Sequence, residues 1–327
     1  MSDPGSKVSW AVGKKKVLCV GLCVMDYVTV VKKFPKETVE LRCAKGFWQR
    51  GGNSSNICTV LRNFGVNCEF FGMLSTSNLF RILIEDMQTR GICIDHCPRC
   101  DKEPPFASVI LSTSPKTQNI IYCRNKTYPY VSLEDFQKID LNNYGWIHFR
   151  CLYANVTLSM MREVEKFNEQ NPKGERIIIS MDFDRALEEM WPLVDYCDYV
   201  FFSKQLADQH GWLTPKDACA IMDEKMRMRW GLNLKRPYII FMWRKEGVAC
   251  VDPHGNYTLV PAYTIKPSKM VDPLGAGDTL TASFIYARYI RERDVSISLD
   301  FGNRMASHKC TKYGYDHIAD ILVSPVS

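Results

Sequence analysis

The stretch Val271-Asp-Pro-Leu-Gly-Ala-Gly-Asp-Thr-Leu280 decides how this chain is read. Gly275, Ala276 and Gly277 are small enough to let a backbone turn approach a ligand closely. The apolar run behind them, Thr279 to Tyr289, predicts a helix with Leu280, Phe284 and Ala287 on one side. A small-residue turn that opens a helix leaves backbone N–H groups pointing at one spot. It also puts the positive end of the helix dipole there, which makes an anion site. Asp278 sits where its carboxylate faces that anion. The arrangement makes sense if Asp278 takes a proton from a hydroxyl that then attacks a phosphorus. Alone, the turn also fits an ordinary tight helix start.

A second cluster shifts that balance. Arg50-Gly-Gly-Asn-Ser-Ser-Asn-Ile-Cys58 leads into a helix with Ile57, Val60, Leu61 and Phe64 at i, i+3, i+4 and i+7, stopped by Gly65. Asn53 and Asn56 share a face of its first turn, and their amides suit a ligand with several hydroxyls. Gly51 and Gly52 allow the chain close to it. Helix capping by Asn53 or Ser54 explains one polar residue but not the set. Upstream, Lys16 to Leu22 reads as a short buried strand. Asp26 follows at the start of a second apolar run, Tyr27 to Val31, and an acid near a strand end in an α/β sheet is well placed for ligands.

Composition bounds the class. The 327 residues are 46% hydrophobic and 24% charged, as in an ordinary globular protein of one or two domains. No apolar run approaches the ~20 residues that span a bilayer. Met1 to Ser6 lacks the apolar core of a signal peptide, and residues 1–15 read as a flexible tail. The net charge of +6 is scattered apart from Lys14–Lys16 and Arg227–Arg229, which read as solvated faces rather than a nucleic-acid surface. The 14 cysteines, with no secretion signal, predict reduced thiols and a cytoplasmic protein. The Asn-x-Ser/Thr sequons at Asn53, Asn125, Asn155 and Asn256 are then chance matches. Cys93, Cys97 and Cys100 around His96 have a spacing that can hold a metal, but they sit between a helix and a strand with no metal-site context. They read as loop thiols, and no metal site is assigned.

Apolar strands alternate with helical patterns along the chain. Strands are expected at Cys68–Met73, Tyr144–Phe149, Arg176–Met181, Asp198–Phe202 and Tyr238–Trp243. Helices are expected at Leu79–Arg90, Leu158–Asn168, Pro215–Trp230 and Val295–Lys309. This order implies an α/β fold: a mainly parallel central sheet with helices on both faces. Two β-rich stretches, about 27–47 and 106–123, break the alternation, and Val248–Val260 reads as a hairpin turning at Asp252–Asn256.

These segments resemble the ribokinase-like (phosphofructokinase-B-type) sugar kinases from about Lys16 to Ile318. The likeness is carried by Cys19-Val-Gly-Leu22, Phe34-Pro-Lys-Glu37, Trp48-Gln-Arg-Gly-Gly-Asn53, Trp146-Ile-His148, Val200-Phe-Phe-Ser-Lys204, Asp272-Pro-Leu-Gly-Ala-Gly-Asp278 and Lys309-Cys310. The Gly-Gly-Asn and Gly-Ala-Gly-Asp pair is specific to the family. The segments between them are most similar to its fructose-phosphorylating members. The resemblance implies a ribokinase-like fold over 16–327 whose β-rich stretches form a small lid that also pairs two subunits. It implies ATP with Mg²⁺, with room for a monovalent cation such as K⁺, and D-fructose as acceptor giving the 1-phosphate. Asp26, Gly52, Asn53, Asn56 and Asp278 would hold the sugar. Asp278 would be the general base, and Gly275, Ala276 and Gly277 the anion hole. Arg244, Lys245, Glu246 and Gly247 would form the nucleotide-binding turn.

Departures from the pattern are Thr38 for a sugar-contacting acid, Asn119 for a phosphate-contacting arginine, and Asn303 for a small residue near sugar and nucleotide. Others are Pro273 for threonine beside the turn, and Arg150-Cys-Leu152. Arg124 or Lys126 on the lid could compensate for the arginine. These departures leave open a kinase for another sugar or a nucleoside, and a sugar-binding pseudokinase.

Overall fold

The computed structural model of the chain describes residues 13–38, 40–43, 45–150, 153–171, 175–184, 188–230 and 236–323. Cys151, Leu152 and residues 1–12 of the expected tail lie outside them. In chain order the strands are β1 (Lys16–Val20), β2 (Val24–Val31), β3 (Lys45–Gly51), β4 (Cys68–Phe71), β5 (Leu74–Ser75), β6 (Arg99–Cys100), β7 (Phe106–Thr113) and β8 (Lys116–Cys123), followed by β9 (Tyr144–Arg150), β10 (Ile178–Phe183), β11 (Tyr199–Ser203), β12 (Tyr238–Met242), β13 (Val248–Val251) and β14 (Tyr257–Val260).

The main sheet runs β14-β13-β12-β11-β10-β9-β1-β4. It is parallel from β4 to β12, and the β13–β14 hairpin is antiparallel at the edge. The parallel strands are apolar without alternation because both faces are covered. Val17, Cys19 and Phe201 pack on the side of helices Asn53–Asn63, Ala276–Ile285 and Val295–Lys309. Leu18, Val20, Val200 and Phe202 pack on the side of helices Ala154–Gln170 and Pro215–Trp230.

The lid is a separate sheet, β3-β2-β7-β8. Its strands begin at Val24 and close at Gly51, so it reaches deeper toward the main sheet than the expected 27–47. Val24, Val28, Val30, Ala107, Val109 and Leu111 form its inner face and pack with Leu274 of the small-residue turn. Tyr27 pairs with Trp48 and Ser108, and Ser108 with Ile121, so these form the outer face. A short β5–β6 ladder stands apart.

Boundaries moved for local reasons. The expected strand Cys68–Met73 ends at Phe71, and Gly72 beyond it lies so close to the Gly21 carbonyl that any side chain there would collide with it. The helix expected from Thr279 already starts at Ala276, taking in the small residues, and ends in a π turn at Tyr286–Ile290. Lys14 and Lys15, expected in the tail, are tied down. Lys14 pairs with Glu292, and the Lys15 carbonyl accepts from the Tyr289 hydroxyl at 3.1 Å.

Candidate active site

Two helix starts meet where the lid joins the main sheet. Helix Asn53–Asn63 is capped by Gly52 at φ +95°, with no side chain on its first N–H groups, so neither Asn53 nor Ser54 acts as a cap. A side chain at Gly52 would run into the Leu22 carbonyl. Ser54 Oγ donates to the Val20 carbonyl (3.0 Å) and Ser55 Oγ to that of Gly51 (2.6 Å), which fixes the helix start against β1 and β3. Helix Ala276–Ile285 starts at Gly275, left-handed at φ +75°, as glycine readily allows. Of the three donors expected there, the Ala276 N–H turns back to the Pro273 carbonyl (3.3 Å). Those of Gly275 and Gly277 have no backbone acceptor among the described residues. Two of the three expected donors are therefore free of backbone acceptors among the described residues.

Asn56 and Asp278, from these two helix starts, touch: Asn56 Nδ2 donates to Asp278 Oδ2 at 2.8 Å. Asp278 is 7% exposed. Burial pushes its carboxyl up to about 7, helped by Asp182 and Asp184 and opposed by the Asn56 bond and Arg150. Asn56 Oδ1 is buried without a partner among the described residues, an acceptor awaiting a hydroxyl. Asp26 lies inside β2 rather than ahead of it, on the inner face of the lid root, where its carboxylate fills the space left by the missing side chain of Gly51. Burial pushes it up to about 6, against a Gln49 hydrogen bond and the charge of Arg50. Asn53 is half-buried in the same first turn. A buried acid, an amide pair and free helix N–H groups can together bind a polyol, accept a proton and stabilise an anion.

The expected nucleotide-binding turn follows β12 as a single 3-10 turn, Arg244–Glu246. Arg244, Lys245 and Glu246 are all exposed, whereas Gly247 is buried. Lys245 therefore stands in solvent and is not drawn into the Asn56–Asp278 cluster; only the backbone of this turn is fixed against the fold. Met242, at the end of β12, lies 3.8 Å from where a Gly277 side chain would begin. Gly247, at φ +107°, packs onto the Val260 carbonyl, and Asn303 Nδ2 donates to the carbonyls of Val260 (3.2 Å) and Pro261 (2.6 Å). Asn303 therefore spends its amide nitrogen on the chain that Gly247 packs against.

Other departures also move. Asn119 pairs with Ile110 on the outer face of the lid, opposite to Asp26, so it does not face the site. The Arg124 guanidinium is taken by the Tyr153 hydroxyl and ring. Thr38 is exposed at φ +61°. Asp272 is buried and filled: it accepts from Lys309 Nζ (2.6 Å), the Leu274 N–H (3.0 Å) and the Gly314 N–H (3.2 Å).

Sequence reasoning missed Asp182, Tyr122 and Tyr315. Asp182, next to last in β10, accepts from Thr281, one turn along from Asp278 (3.3 Å). Tyr122 is joined to Asp26 through Ala107, on the inner face. Partial burial and the charges of Asp26 and Asp278 push its hydroxyl up to about 12, although most of the ring is exposed. Tyr315 lies against Gly275, its buried hydroxyl without a partner among the described residues. The end-of-strand rule that singled out Asp26 applies equally to Asp182; Tyr122 needed the strand register.

The three clustered cysteines diverge. Cys97 Sγ donates to the Phe70 carbonyl (3.0 Å) and Cys93 Sγ to Asp95 (3.4 Å), while His96 binds buried Glu69 (2.5 Å). Among the described residues no three His, Cys, Asp or Glu side chains are grouped to hold a metal ion.

This fold and site define a kinase that transfers phosphate to a sugar, and the chain belongs to the pfkB family of carbohydrate kinases, whose model matches residues 14–321. Among its relatives, ketohexokinase of Mus musculus is 32% identical over 306 residues, covering 93% of this chain and 99% of that protein. The fold is that of the Giardia lamblia ribokinase, with a TM-score of 0.78 at 14% identity over 94% of this chain and 99% of that one. Arabidopsis thaliana ribokinase, solved with ribose and ATP, superposes with a TM-score of 0.73 at 18% identity over 95% of this chain and 100% of that one.

Proposed function

We propose that this kinase phosphorylates a ketohexose, D-fructose at its 1-hydroxyl, using Mg·ATP. The Asn56–Asp278 contact carries the reading: it couples the polyol-binding helix start to a buried carboxylate at the anion turn. Asp26, Gly52, Asn53 and Asn56 hold the sugar, and Asp278 accepts the proton of the attacking hydroxyl. The N–H groups of Gly275 and Gly277 bind the phosphoryl group, with Ala276 contributing once its weak bond to Pro273 opens. The nucleotide lies along Arg244, Lys245, Glu246 and Gly247, and Mg²⁺ arrives with it to neutralise the triphosphate. The Asp272 carboxylate is already satisfied by Lys309 and two N–H groups, so it does not fit a resident K⁺. The choice of a ketohexose rests on the likeness to mouse ketohexokinase. The buried Asp278, in contact with Asn56, supports this reading over a pseudokinase.

The test is ADP release with Mg·ATP, with and without D-fructose, by the native protein and Asp278→Asn. Fructose-dependent turnover should fall ~10²–10⁴-fold in the variant while fructose binding by calorimetry is kept. Faster turnover with ribose or adenosine than with fructose would reassign the substrate; undiminished turnover in Asp278→Asn would remove the base.

A further inference from the structure

Arg150 ends β9 at the seam between the two helix starts. Its Cβ lies 3.0 Å from where a Gly21 side chain would begin, and that position also abuts Ser54 in the first turn of helix Asn53–Asn63. On its other side it pairs in register with Asp182 of β10, whose carboxylate holds Thr281 on the helix of Asp278. The guanidinium is mostly buried, and Asp184 occupies Nη2. Nη1 is fully buried with no partner among the described residues. A charged donor left unpaired in a protein interior is costly unless a ligand completes it. Arg150 also lies within electrostatic reach of Asp278 and of Tyr122 on the lid.

We infer that Arg150 donates from Nη1 to the phosphoryl group in transit between nucleotide and acceptor, a phosphate contact made from the floor of the site rather than from the lid. In that step the acceptor oxygen bonds to the γ-phosphorus as the bond to the β,γ-bridging oxygen breaks. The hydroxyl proton goes to Asp278, and ADP leaves with the electron pair. A guanidinium's planar fork suits phosphoryl oxygens better than a neutral hydroxyl, and Asp184 fixes its orientation. The inference rests on kinase chemistry and not on which sugar is used.

The experiment is calorimetry on the native protein, Arg150→Met, Arg150→Lys and Asp184→Asn. The probes are MgADP, MgADP with aluminium fluoride as a mimic of the planar phosphoryl group, and D-fructose. Arg150→Met should bind MgADP and fructose as the native protein does. It should bind the fluoride complex roughly 30-fold or more weakly, the worth of a charge-assisted hydrogen bond. Asp184→Asn should keep most of that binding. Should Arg150→Met not fold, Arg150→Lys carries the test, with a loss of about tenfold because one ammonium replaces the fork. Two results overturn the inference: equal binding of the mimic by native and variant proteins or none by either, and a loss of fructose affinity matching that of the mimic. The last would make Arg150 an acceptor-binding residue. A native protein that binds the mimic but does not turn over fructose counts against the substrate proposal alone.

Discussion

Asp278 can act as a base only when ionised, and its surroundings oppose ionisation. Burial pushes its carboxyl up to about 7, so below that pH most of the free enzyme carries a proton where the substrate's must go. The ratio kcat/KM should therefore fall about tenfold per unit on the acid side of pH 7 and level off above it. A profile flat from pH 5 to 9 would rule Asp278 out as the base. The same shift has a stability consequence of definite sign. A carboxyl whose folded pKa exceeds its unfolded one binds more protons when folded, so stability is lost as pH rises from about 4 to about 7. Asp278→Asn removes that loss. Its melting temperature should exceed the native one at pH 8, by the equivalent of up to ~4 kcal/mol, and the two should converge at pH 4. Equal melting at pH 8 would mean that the carboxylate is better solvated than its burial implies.

At the scale of elements, what the sequence reveals is set by how local the cause is. The helices at Pro215–Trp230 and Val295–Lys309 stand where their apolar spacing puts them. The glycine turn, the Asn53–Asn56 face and Asp278 are legible because each needs small or polar residues within a few positions. The face of β8 is not legible, because a slip of one residue exchanges Asn119 for its neighbours; only pairing with β7 sets it. Asn303 reads as a pocket residue in sequence because nothing local marks the Val260 and Pro261 carbonyls as its partners. The Asp272–Lys309 pair is of the same kind. Asp272 begins the turn and Lys309 ends helix Val295–Lys309; both are buried and bonded at 2.6 Å. Lys309→Met should strand a buried carboxylate and cost ~3–5 kcal/mol, while adding Asp272→Asn should restore most of it. A double variant as unstable as the single one would show that the ammonium's bond to the Asp272 carbonyl, 3.1 Å, matters more than the ion pair.

For the whole molecule, the lid has one face too many. Its inner face is buried against Leu274, but its outer face presents Trp48, 59% exposed, and Ile121, 57% exposed, beside Tyr27 and Phe106 in edge-to-face contact. A twisted sheet with apolar side chains on both faces normally finds a cover for each. We propose that a second copy of the chain supplies it, lid against lid, as the family likeness implies. Two such faces meeting about a twofold axis would bury Trp48 twice over, which makes it the natural anchor of the contact. The native protein should sediment as a dimer at micromolar concentration, and Trp48→Glu should sediment as a monomer, since each interface would then hold two unpaired carboxylates. The inner face and Asp26 are untouched by that change, so fructose binding by the monomer should stay within about threefold of native. Sedimentation of the native chain as a monomer would leave the outer face without the partner proposed for it. A dimer that survives Trp48→Glu would place the interface elsewhere.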